Sequence, residues 1–195
     1  LVFVAHDEKC LGVIDAKSFS VMPDLKLPGT AEGFVIESGR PRLYLCVPSP
    51  SMLLVIDTGK KEIVANYPIK GASNGHPVAL DEANKRVFIG CRTEPVVVVM
   101  DTESGKEIAS IPVPKDIDDL QYDVKRKKLY ATCGEGFIAV IKQVSPDKYE
   151  VEDKVATVKG AKTSYFAPEA SRIYLAVPRQ AGQEAPEIKV YKVKD

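Results

Sequence analysis

Four ionisable side chains recur at a single offset. Glu32, His76, Asp118 and Lys162 each stand twelve positions before an aromatic, respectively Tyr44, Phe88, Tyr130 and Tyr174. A histidine grouped with carboxylates is equipment for moving a proton near neutral pH or for holding a divalent metal. One position further on lie Gly33, Pro77, Asp119 and Thr163. The competing reading makes these groups solvated loop residues or hydrogen-bond links between neighbouring elements.

A second set follows the same aromatics. Cys46, Cys91 and Cys133 come two or three residues after them, with Arg92, Glu94 and Glu135 close behind. The thiols have three open readings: small buried hydrophobes, a disulfide pair, or soft ligands that join His76 in a metal site. No Cys-x-x-Cys or His-x-His spacing occurs, so a set of His76, Cys91 and Cys133 has to be assembled from separate parts of the chain. Cys10 stands apart in another loop. Covalent catalysis has little support, because Gly-x-Ser-x-Gly is absent and His6 and His76 are the only histidines. Asp57-Thr58-Gly59-Lys60-Lys61 lacks the upstream glycine of a phosphate loop. The run Lys125-Arg126-Lys127-Lys128 reads as a solvated turn.

These residues acquire a common location only through a repeat. Leu1-Val2-Phe3-Val4-Ala5, Arg42-Leu43-Tyr44-Leu45-Cys46, Arg86-Val87-Phe88-Ile89-Gly90, Lys128-Leu129-Tyr130-Ala131-Thr132 and Arg172-Ile173-Tyr174-Leu175-Ala176 place their aromatics 41, 44, 42 and 44 residues apart. A second apolar, β-branched strand follows each, as in Val96 to Asp101. Asp, Asn and Gly at regular offsets supply the turns. The spacing predicts four antiparallel strands per repeat, in segments of about 1–29, 30–72, 73–116, 117–161 and 162–195. Helical periodicity is nearly absent. Four strands per unit and runs such as Val96-Val97-Val98-Val99, apolar on both faces, predict an all-β propeller of about five blades. The first repeat opens inside its second strand and the last ends after its third. That pattern fits either a closed five-bladed ring or part of a larger one.

In such a ring, residues before the first strand and after the second of each blade crowd around one mouth of the central channel. Glu32, His76, Asp118, Asp119, Lys162, Arg92 and Glu135 are therefore the expected ligand-binding residues, and His76, Cys91 and Cys133 the candidate metal ligands. No cofactor is required; a divalent metal at the mouth is the one cofactor the residues point to.

Composition narrows the partners. Twenty-seven basic residues balance twenty-seven acidic ones, so the positive field of a nucleic-acid or anionic-membrane binder is missing. No apolar run approaches the length of a membrane span. Aromatics at 7% give little stacking surface for single strands. The chain opens on Leu1 rather than Met, which reads as a segment of a longer product.

The repeat resembles the YVTN-type β-propeller family, whose strand tetrapeptide departs here to Tyr44-Leu45-Cys46-Val47 and Tyr130-Ala131-Thr132-Cys133. Gly75-His76-Pro77-Val78-Ala79-Leu80-Asp81-Glu82, Cys133-Gly134-Glu135-Gly136-Phe137 and Tyr174-Leu175-Ala176-Val177-Pro178 are similar to the C-terminal blades of a secreted bacterial subgroup. The resemblance implies a seven-bladed ring and an extracytoplasmic home. It implies no particular reaction. The expected function is a non-catalytic scaffold that binds a protein or small molecule at the channel mouth. The alternative is a hydrolase of the propeller lactonase type, with a metal or a His–carboxylate pair activating water. Exposed edge strands lead us to expect self-association.

Overall fold

The computed structural model describes residues 1–6, 9–179 and 185–194, and every regular element among them is a β-strand. The strands form five antiparallel sheets, each built from consecutive strands. The first contains β1 (Val2–His6), β2 (Cys10–Ile14) and β3 (Val21–Lys26). The second contains β4 (Phe34–Ile36), β5 (Arg42–Val47), β6 (Met52–Asp57) and β7 (Glu62–Pro68). The third runs through β8 (Gly75–Asp81), β9 (Arg86–Cys91), β10 (Val96–Asp101) and β11 (Glu107–Pro112). The fourth follows with β12 (Ile117–Asp123), β13 (Lys128–Cys133), β14 (Phe137–Ser145) and β15 (Lys148–Ala156). The fifth has β16 (Thr163–Ala167), β17 (Arg172–Val177) and β18 (Glu187–Lys192). This is the expected propeller architecture.

Turn chemistry makes the meander. Asp15, Asp57 and Asp101 end or follow a strand, and each accepts backbone N–H groups two and three residues on, at 2.8–3.1 Å. These side-chain bonds mimic a backbone turn and reverse the chain locally. The left-handed conformation that completes the hairpins falls on Phe19, Lys61 and Gly105, and in the turns before the second strands on Lys85, Lys127 and Ser171. Only one of these six is glycine. The sequence had pointed to Asp, Asn and Gly; the Asx bonds fix the turn and leave its positive φ to an ordinary side chain at a cost of about 1–2 kcal/mol.

Strand alternation decides what each sheet shows its neighbours. The second-strand aromatic always faces the following sheet: Tyr44 packs with Val87, Ile89 and Val98, Phe88 with Ile117, Leu129 and Ala131, and Tyr130 with Phe166 and Ile173. Residues one place away face the preceding sheet. Middle strands are consequently buried on both faces, as in Leu43–Val47 and Val97–Met100. That explains their unbroken apolar runs. The outer strands β7 and β15 are largely exposed. Contact between neighbouring sheets centres on their first strands, β8 touching β4, β5 and β12, and β12 touching β8, β9 and β16, so the first strands are the innermost.

A buried acid ties each of the three middle sheets together at the far end of its inner strand. Glu37, Asp81 and Asp123 each stand seven residues before the aromatic. Glu37 accepts from Arg40 and the Tyr44 hydroxyl; Asp123 accepts from Arg126 and the Tyr130 hydroxyl. The run Lys125–Lys128 is thus only partly the solvated turn expected. Arg126 is buried against Asp123 and also donates to Ser171 of the next sheet at 3.0 Å, while Lys128 pairs with Glu152 at 2.9 Å.

The first and last sheets have three strands apiece, and no strand pairing joins them among the described residues. Val2 and Val4 on one, and Tyr165, Ile188 and Val190 on the other, are exposed.

Candidate functional site

The inner strands open on a cleft of about 330 Å³ lined by Glu32, Gly33, His76, Pro77, Asp118, Asp119 and Thr163, among others. The repeat column therefore does converge. Successive inner strands approach closely enough that the Gly33 N–H donates to the His76 carbonyl at 2.9 Å. A Cβ at Gly33 would overlap that oxygen, which restricts the position to glycine.

His76 sits at the centre. Its Nδ1 lies 3.3 Å from Glu32 Oε2, its Nε2 3.1 Å from Asn74 Oδ1, and Arg92 Nη1 stands 3.5 Å from the same Nε2. Burial lowers the imidazole pKa below its ordinary value, the Arg92 charge lowers it further, and Glu32 opposes both. The ring is neutral at pH 7. With its proton on Nδ1 the ring donates to Glu32 and Nε2 accepts from Arg92; with the proton on Nε2 the ring donates to Asn74 Oδ1 instead.

Arg92 is the organising cation. Nε donates to the Ile117 carbonyl at 2.9 Å, Nη2 pairs with Asp118, and Asp116 lies 3.7 Å from Nε. Lys162 Nζ meets Asp116 at 3.1 Å. Asp119 accepts the Ser164 N–H at 2.5 Å; burial raises its pKa, against the pull of that hydrogen bond. Glu32, Asp116, Asp118 and Asp119 face two fixed cations, Arg92 and Lys162, so the mouth is electronegative. Both cations are already engaged. Glu32, 40% exposed, and Asp119 keep acceptor capacity on the cleft.

The remaining expected residues are placed differently. Lys162 does not line the cleft; Thr163 does. Lys162 instead turns its Nζ to Asp116 beside the mouth, and Thr163 lines the cleft at the same offset as Gly33, Pro77 and Asp119. Glu135 accepts the Lys115 N–H at 2.8 Å, and Glu94 accepts from Ser73, so both brace loops beside the mouth.

The thiols do not gather around His76. Cys91 faces backward into the layer between the second and third sheets, where it meets forward-facing Cys46. Cys133 lies in the layer between the third and fourth sheets. All three are fully buried and are not disulfide-bonded. Burial pushes the Cys91 and Cys133 thiols up to about 12 and Cys46 higher still. Such thiols are poor ligands and poor nucleophiles, which matches the small-hydrophobe reading. Among the described residues the one His/Cys/acid group within ligand distance is elsewhere: His6, Cys10 and Asp24. A hairpin His-x-x-x-Cys was the available sequence signal for it.

No family model matches the chain. The chain is similar to the uncharacterized protein YncE of Salmonella typhi, 23% identical over 182 residues, which cover 91% of this chain and 50% of that protein. In structure it resembles the hydrazine synthase of Kuenenia stuttgartiensis with a TM-score of 0.82 at 12% identity, over 98% of this chain and 59% of that one. The chain thus spans about half the length of the curated relative it matches. Both matches are bacterial proteins, and together with the five radial sheets they place this chain among the β-propellers.

Proposed function

We propose that this propeller is a non-catalytic scaffold of the YVTN type, exported from its cell, that binds a small organic cation in the channel-mouth cleft. One observation carries the reading: four carboxylates line or flank the cleft while Arg92 and Lys162 are spent on two of them, leaving Glu32 and Asp119 to receive a positive group. A volume of about 330 Å³ suits a small molecule rather than a protein segment. Lowering the pH protonates His76 and adds positive charge beside Glu32, so affinity for a cation falls as pH falls.

Calorimetric titration with putrescine and arginine methyl ester, against citrate as the anionic control, tests this. Binding of the cations alone is expected, with Glu32→Gln and Asp119→Asn each weakening it roughly tenfold, about 1.4 kcal/mol. Preference for citrate overturns the proposal. Lactone hydrolysis that is lost in His76→Ala replaces it with the hydrolase reading, for which the His76–Glu32 pair would serve as the base.

The same reading carries a prediction about partners. Val2 and Val4 are exposed on the outward face of the first sheet, and on the last sheet Tyr165 at 64% and Ile188 at 62% exposure occupy the kind of face that the other sheets bury against a neighbour. A second copy of the chain supplies a matching surface, so association proceeds through sheet faces rather than through the edge strands considered from sequence. Light scattering should show mass rising with concentration, and Ile188→Lys should abolish the rise. A monomer at every concentration would exclude it.

A further inference from the structure

On the face of the first sheet that points away from the second, three adjacent strands bring different ligand types together. His6 ends β1, Cys10 begins β2 directly opposite it in register, and Asp24 lies on β3. The ligand atoms of all three lie within 4.8 Å of one another, and His6 Nε2 is 3.4 Å from Asp24 Oδ2. Alternation accounts for the shared face: Phe3, Ala5, Leu11 and Leu25 fill the core on the other side.

The floor between the ligands is built from a missing side chain. Gly12 is the next same-face residue of β2 after Cys10. A Cβ there would stand 3.6 Å from both the His6 ring and Asp24 Oδ1. Those are ordinary contact distances, so a small residue here floors the space between the ring and the carboxylate without filling it. Exposed Val2 and Val4 continue the same face beside it.

From this geometry we infer that His6, Cys10 and Asp24 form a binding site for a divalent transition metal, zinc above all, with three protein ligands and a fourth position open to water. One thiolate, one imidazole and one carboxylate make a donor set of borderline softness, suited to Zn²⁺ or Co²⁺ and unsuited to Ca²⁺ or Mg²⁺, which take oxygen ligands alone. The ligand atoms draw in by about 1 Å to reach tetrahedral spacing around ordinary Zn–N, Zn–O and Zn–S bonds. Side-chain rotation on partly exposed strands near a sheet end supplies that movement. The site shares no residue with the channel mouth, so it stands or falls independently of the ligand bound there.

Cobalt reports the ligands directly. The full chain, stripped with a chelator and reduced, is titrated with Co²⁺ at pH 7.5 and followed by absorption, with Zn²⁺ as competitor. One equivalent of Co²⁺ should produce a thiolate-to-cobalt charge-transfer band that one equivalent of Zn²⁺ removes. Cys10→Ser should abolish the band, and the isosteric Asp24→Asn should weaken cobalt binding roughly tenfold or more while circular dichroism stays unchanged. Cys46, Cys91 and Cys133 remain in every variant, so loss of the band assigns the sulfur. Absence of the band at stoichiometric metal, or a band that survives Cys10→Ser, overturns the proposal.

Discussion

Asp81→Ala should lower the unfolding free energy by about 3 kcal/mol, because it strips a buried carboxylate from several donors at once. Asp81 is 2% exposed. It accepts from Asn84 Nδ2 at 2.7 Å within its own turn and from Gln143 Nε2 at 2.8 Å, and the Tyr122 hydroxyl lies 3.2 Å away. Gln143 and Tyr122 belong to the fourth sheet, so this carboxylate both closes a hairpin and bolts two sheets together. In the neighbouring sheets the equivalent acids are held from within: the Tyr44 and Tyr130 hydroxyls reach Glu37 and Asp123 from their own sheets. The third sheet has Phe88 at that place, which lacks a hydroxyl, and Tyr122 and Gln143 substitute for it from the next sheet. Phe88 still packs against Tyr122, with ring centroids 5.4 Å apart and the rings tilted by 37°. Asp81→Asn keeps the shape and part of the bonding, so its loss should be about half as large. Urea unfolding followed by circular dichroism measures both. A change under about 0.5 kcal/mol for Asp81→Ala would show that water replaces the lost partners.

The architecture was legible because it rests on period and alternation. Aromatics every forty-odd residues, Asx turns after apolar runs, and strands apolar on both faces are all local or periodic signals, and the sheets follow them. The cleft was legible for the same reason at Glu32, His76 and Asp118. It failed at Lys162, whose ammonium turns to Asp116 beside the mouth, a choice of partner that no count along the chain contains. The thiols failed differently. Cys46 is an even number of residues from its aromatic, Cys91 and Cys133 an odd number, so they point to opposite faces of their sheets. Strand parity alone shows that Cys91 and Cys133 face backward while Cys46 faces forward. Asp81 joining the fourth sheet, and Arg126 reaching Ser171, were illegible because they depend on long-range partners and not on spacing.

Those same buried groups make the protein alkali-labile. Burial holds the thiols of Cys91 and Cys133 at about 12, with Cys46 raised further, and the hydroxyl of Tyr149 at about 12, with Tyr122 and Tyr130 raised as well. In the unfolded chain a thiol titrates near about 8.5 and a phenol near about 10. Between those values and the folded ones, the folded protein holds protons that the unfolded chain has released. Stability therefore falls as pH rises, by about 1.4 kcal/mol per pH unit for each such group, and is fully present below about pH 8. Three thiols together give a slope of roughly 4 kcal/mol per unit above about pH 9, before the tyrosines add theirs. Against a typical domain stability of about 5–15 kcal/mol, that slope forces cooperative unfolding near pH 10 to 11. Circular dichroism against pH should show a steep loss there, with thiolate absorbance of the buried cysteines rising in the same step. Iodoacetamide at pH 8 should spare Cys46, Cys91 and Cys133, since only the thiolate reacts and burial withholds it. If the three buried thiols instead ionise near about pH 8.5 while the sheets persist, water reaches the layers between the sheets, and the packing that faces Tyr44 and Phe88 onto their neighbours does not hold in solution.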